Sequence, residues 1–168
     1  MKTLQQLMGM PVVTVLEGLR LGTLKGVEFN AADGQIRYLL FDGADTRADG
    51  VVPWSAVRSV GADAITVESL AGVLDAVPAA DREAITPELH DRTVMTESGT
   101  SLGKVTGYEL DEATGRIERY HVATGGLLGR LTGSKVSFSR SEISAFGPDA
   151  IVVVDSVDPT VRKTQEQH

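Results

Sequence analysis

Short apolar runs recur along the chain, and each is interrupted before it reaches the length of an ordinary helix. Val12 to Val15, Leu21 to Asn30, Gln35 to Phe41, Val51 to Val52, Val57 to Val60 and Ala64 to Val67 are separated by polar turns. Most of those turns carry Gly, Asp or Pro, so the pattern predicts strands. Asp33-Gly34 reads as the turn of one hairpin and Gly61-Ala62-Asp63 as the turn of another. In the second run, Leu24, Val27 and Phe29 abandon strict alternation around Gly26, which predicts a bulge. Pro53-Trp54-Ser55 predicts a tight turn or a single helical turn, with proline fixing the first torsion.

The pattern then repeats. At an offset of 81, Gly18, Leu21, Gly22, Gly26, Glu28, Ala32, Gly34 and Ile36 meet Gly99, Leu102, Gly103, Gly107, Glu109, Ala113, Gly115 and Ile117. From Ser55 the offset is 86, so the second copy holds five more residues between Val122 and Val136. Val13 pairs with Val94 at the first offset, whereas Leu7 and Leu89 fit 82 better, which allows one extra residue in the opening turn of the first copy. The identities are mostly glycines and apolar residues, the mark of a repeated backbone path. Short, twisted, bulged strands fit a small barrel better than a flat sheet. The expectation is all-β: two small barrels in tandem, residues 1–69 and 89–155, joined by a short semi-ordered linker over 70–88. Within that linker the AADREAI stretch could form one or two helical turns, and residues 156–168 read as a disordered tail.

Composition narrows the functional classes. Hydrophobic residues are 42% of the chain and aromatics 5%, so the core is aliphatic. Cysteine is absent, which removes disulfides, thiolate metal sites and thiol catalysis. The formal charge is −7 and no basic footprint is visible, so nucleic acid is a poor partner. The first residues make a poor signal peptide, and no run approaches the ~20 apolar residues of a membrane span. A cytoplasmic location is the expectation.

Each copy resembles a PRC-barrel domain, the module shared by the cytoplasmic part of the photosynthetic reaction-centre H subunit and the C-terminal part of a ribosome-maturation factor. The first copy carries the pattern as Gly18, Leu21-Gly22-Thr23-Leu24, Asp33-Gly34, Ile36 to Phe41, and Val52-Pro53-Trp54 through Ile65. The second keeps Leu102-Gly103-Lys104-Val105, Thr114-Gly115 and Gly147-Pro148-Asp149-Ala150-Ile151 but replaces Pro53-Trp54 by Ser139-Arg140. The resemblance implies binding and assembly roles, and it carries over no active-site residue.

Catalytic and cofactor patterns are missing. His90, His121 and His168 lack metal-ligand spacing. Gly125 to Lys135 lacks the order of a phosphate loop, and no Gly-x-Ser-x-Gly is present. Neither a cofactor nor a metal is expected, and the chain does not read as an enzyme. The reading is a non-enzymatic protein-binding or scaffold protein. Its alternatives are a peripheral subunit of a membrane-associated, photosynthetic-type electron-transfer complex and a ribosome-assembly accessory. A protein partner is expected, and self-association stays open. Two partner-binding candidates stand out. One is the stretch around Leu127, Leu128, Arg130 and Leu131, whose leucines must bury against this chain or another. The other is Trp54, the only tryptophan, either a cap on a barrel end or a recognition residue.

Overall fold

In the computed structural model the runs read as strands form strands. The structure describes residues 1–30, 32–45, 47–84, 92–124, 135–147 and 149–161. They divide into two compact units, Met1–Glu88 with Leu110–Arg116 and Leu89–Glu109 with Ile117–His168. No helix among the described residues is long and apolar enough to cross a membrane.

In the first unit, β1 (Lys2–Thr3) leads into a four-residue helix, Leu4–Leu7, closed by a capping box between Thr3 and Gln6. Five further strands follow: β2 (Pro11–Thr14), β3 (Arg20–Phe29), β4 (Ile36–Gly43), β5 (Gly50–Pro53) and β6 (Val57–Val60). With β7 (Ile65–Val67) they make a sheet ordered β5-β4-β3-β2-β7-β6. Neighbours are antiparallel except β2 and β7, whose parallel pairing sets Val12 beside Ile65. The two ends of this order, β5 and β6, are consecutive in the chain. A single 3-10 turn, Trp54–Ala56, joins them.

The bulge expected at Gly26 is present: pairing with β4 steps from Leu24 to Gly26, leaving Lys25 out of register. A second irregularity on the β2 side leaves Leu21 unpaired between Arg20 and Gly22. Two such steps explain why the buried positions Leu21, Leu24, Val27 and Phe29 are not strictly alternate. Between them sits Gly22, where a Cβ would lie 1.7 Å from the Asp42 carbonyl oxygen. The Leu-Gly pair of the repeat therefore has a steric cause: the strands approach too closely there for any side chain.

The second copy of the repeat follows the same plan with β8 (Thr93–Thr96), β9 (Ser101–Asp111), β10 (Arg116–Ala123), β11 (Lys135–Ser139), β12 (Ile143–Phe146) and β13 (Ala150–Val153), ordered β11-β10-β9-β8-β13-β12. β8 and β13 are its parallel pair. Leu102, Val105, Tyr108 and Leu110 are buried at the spacing of their counterparts in β3, and a Cβ on Gly103 would lie 2.0 Å from the Ala123 carbonyl oxygen.

The ladders also correct the sequence register. Val12 pairs with Ile65 as Val94 pairs with Ile151, so Val12 and not Val13 holds the place of Val94. The extra residue lies in the next turn. Buried Thr14 accepts from the Leu19 amide five residues on, and buried Thr96 from the Thr100 amide four residues on.

Core volume is redistributed between the copies. Leu39 faces Val52 in the first ladder, where Tyr120 faces Phe138 in the second. One step along, Phe41 faces Gly50 where Val122 faces Val136. The first copy thus places one aromatic at the second of these pairs and the second copy two at the first, so the same ladder is packed differently in the two copies.

Ordered segments occur both in the stretch read as a semi-ordered linker and in the one read as a disordered tail. Leu74 exchanges two backbone hydrogen bonds with Val51, at 2.8 and 2.7 Å, and so covers the β5 edge. Val77 is buried against Tyr38 and Val51, and a 3-10 helix follows at Ala79–Ala84, where one or two helical turns were anticipated. Beyond β13, a 3-10 turn at Asp155–Val157 buries Val157, and the Asp158 carboxylate accepts from both the amide and the hydroxyl of Thr160. The tail is thus structured through Val161, because one apolar residue finds a place in the core.

Candidate functional site

Tyr38 lies opposite Pro53, near the start of β4 and at the end of β5. Pro53 has φ −66° and passes the chain into the 3-10 turn that starts at Trp54, so the indole is held on a short rigid turn rather than on a loop. Trp54 is half-buried and does not belong to the fully enclosed core. Within the first unit its ring rests on Gly115, where a Cβ would come within 2.4 Å of the indole. Gly115 has φ +69°, a second reason for glycine at that position. The Ile36 amide donates to the Gly115 carbonyl at 2.8 Å, and Gln35 Nε2 donates to the Thr114 carbonyl at 2.8 Å.

These groups border a cleft of about 640 Å³. Asn30, Gln35 and Ile36 contribute from the β3–β4 hairpin, Arg37 and Tyr38 from β4, and Pro53, Trp54 and Ser55 from the β5–β6 junction. Asp81 closes one side and Thr114 another. Asp81 is set by its own 3-10 turn, in which its amide donates to the Pro78 carbonyl at 3.0 Å. The Tyr38 hydroxyl donates a short hydrogen bond to the Asp81 carboxylate. That bond, then burial and the carboxylate's charge, hold the phenol proton above the ordinary tyrosine range. Arg37 is committed to Asp33 at 2.8 Å.

The phenol keeps its proton and so is no base, and the cleft contains neither histidine nor cysteine. Among the described residues no group of three His, Cys, Asp or Glu is placed to hold a metal. His121 lies elsewhere, in β10, 3.6 Å from Glu109.

Of the residues singled out from sequence, the structure places Trp54 in this cleft. Leu127, Leu128, Arg130 and Leu131 lie outside the described residues. Tyr38, Gln35 and Asp81 were not singled out. A signal existed in the repeat itself. The ladder register equates Tyr38 with Arg119 and Pro53 with Ser139, hence Trp54 with Arg140. The copies diverge where the first builds its cleft.

A sequence profile described as the PRC-barrel domain matches residues 1–74 and again 86–157. The chain belongs to the PRC-barrel family. It is a tandem PRC-barrel protein, and the family's domain is non-catalytic. No curated protein matches the chain.

Proposed function

We propose that this tandem PRC-barrel protein is a non-enzymatic binding or scaffold protein of the cytoplasm, and that the Trp54 cleft of its first compact unit is a protein-docking site. The observation that carries the reading is a half-buried tryptophan on a rigid turn, bordering a cleft of peptide-accommodating size. Large aromatics supply much of the binding energy at protein interfaces when they sit in such a depression. Nothing in the core requires an indole there, since the second domain builds the same ladder with Arg140 in its place. The Leu127, Leu128, Arg130 and Leu131 stretch is proposed as a second contact, on the ground that three leucines among glycines need burial.

Affinity capture from the native cell tests this reading with three baits: the unaltered chain, Trp54→Ala, and a variant with all three leucines changed to serine. A partner held by the unaltered chain and lost from Trp54→Ala, at a temperature where melting shows that variant still folded, supports docking at the cleft. Identical partner sets on the unaltered and Trp54→Ala baits remove the cleft as the site. Detergent-free fractionation checks the location.

A further inference from the structure

Two charged side chains, Arg37 and Asp81, line the cleft. Arg37 is tied to Asp33, and that pair is neutral as a unit. Asp81 receives the hydroxyl of Tyr38, a neutral donor, and among the described residues no cation forms an ion pair with it. With Arg37 engaged by Asp33, the Asp81 carboxylate is the charge left to a space lined also by an indole, a proline and a phenol ring. The electron-rich face of an indole attracts cations, most strongly where water is partly excluded. A carboxylate held beside it by a donated hydrogen bond adds a directional partner for an ammonium or guanidinium group.

We infer that the cleft selects a cationic side chain: an arginine or lysine of the protein partner lies against the Trp54 indole with its charge at the Asp81 carboxylate. The inference deepens the docking reading and rests on it. Three observations agree. The overall charge of −7 favours encounter with basic partners. The tyrosine and tryptophan are replaced in the second domain by Arg119 and Arg140, both exposed, so the aromatic and acidic combination belongs to the first domain alone. Asp81 is held on a turn of its own and tied to β4 through the phenol, which orients the carboxylate without neutralising it.

A titration on the full chain tests this, because its single tryptophan gives one indole N–H resonance. The probes are N-acetylated, C-amidated Gly-Arg-Gly, Gly-Lys-Gly and Gly-Glu-Gly. The arginine and lysine peptides are expected to shift the Trp54 resonance saturably, more weakly as salt is raised, and the glutamate peptide to leave it in place. Asp81→Asn keeps the shape and an oxygen that accepts from Tyr38 while removing the charge. It is expected to weaken the arginine peptide about fivefold with no change in melting temperature, the scale of one partly exposed charge contact. Equal response to the glutamate peptide, no saturable response to arginine, or unchanged arginine binding in Asp81→Asn overturns the inference. The two proposals separate in the capture experiment. Partner lost from Trp54→Ala but retained by Asp81→Asn leaves the docking site standing and removes the cation. Partner retained by Trp54→Ala removes the site itself.

Discussion

Changing Tyr120 to phenylalanine should stabilise the second domain, the opposite of what most core substitutions do. Tyr120 is fully buried in β10 and stacks on Phe138 with ring centroids 5.2 Å apart and planes 14° from parallel. Its hydroxyl meets no hydrogen-bond partner among the described residues. An unpaired buried hydroxyl costs about 1–3 kcal/mol relative to its hydration in the unfolded chain. Phenylalanine retains the ring and its stacking and gives up only the contacts of one oxygen, each worth about 0.1–0.2 kcal/mol. The net gain is about 1 kcal/mol, which for a domain of this size raises Tm by roughly 4–8 °C. Urea melts should show a higher midpoint at constant slope. The ionisation of Tyr120 supplies an independent check. Burial pushes its pKa up to about 12, against an opposing pull from Arg140. Above pH ~10 the unfolded chain releases this proton while the folded one retains it. The stability linked to Tyr120 is therefore full below pH ~10 and is lost as pH rises towards ~12. Tyr120→Phe should remove that part of the alkaline decline, leaving the part from Tyr108, whose phenol burial also pushes upward. A fall in midpoint of similar size, with the alkaline limb unchanged, would mean that the hydroxyl is satisfied and the packing argument wrong.

Other consequences can be checked on the same material. Gly22→Ala and Gly103→Ala each drive a Cβ to within 2.0 Å or less of a carbonyl oxygen on the facing strand. Each should cost on the order of 3 kcal/mol, read by thermal melting, and a loss near zero would refute the close-approach account. Gly115→Ala places a methyl against the indole at a left-handed φ, so about 1–2 kcal/mol of stability and a displaced tryptophan emission maximum are expected together. Unchanged emission would show that the ring does not rest there. Trp54→Ala should cost roughly 1–2 kcal/mol, less than the ~3–5 of a fully buried aromatic, because the indole is half-buried. A loss at the upper figure would return Trp54 to the role of a barrel cap.

Much of the fold was legible because its determinants are local. The strand runs, the bulge at Gly26 and the hairpin at Gly61 to Asp63 all follow from apolar spacing and turn residues, and the doubling multiplied each weak signal by two. The register of β2 was not fixed by those signals. Val12 and Val13 are both valines, and only the parallel pairing with Ile65 decides which one faces inward. Such pairing joins residues some fifty positions apart, and no local pattern announces it. The ordering of Leu70 to Asp81 escaped notice for a related reason. Leu74 and Val77 look like isolated apolar residues in a polar stretch, and their burial depends on the uncovered β5 edge and on Tyr38. Trp54 was conspicuous as the sole indole, whereas its surroundings were not. Tyr38 and Asp81 are forty-three residues apart and meet only because the linker folds back over β4.

Photo-crosslinking in the intact cell tests the docking claim most directly. Ser55 is exposed and borders the cleft, so a benzophenone amino acid placed there leaves Trp54, Tyr38 and Asp81 unaltered. A discrete adduct between this chain and one other protein is expected on irradiation, and it should vanish when Trp54→Ala is added to the same chain. The absence of any adduct, or one that persists undiminished without the indole, would contradict the assignment of this cleft as the place where the protein holds its partner.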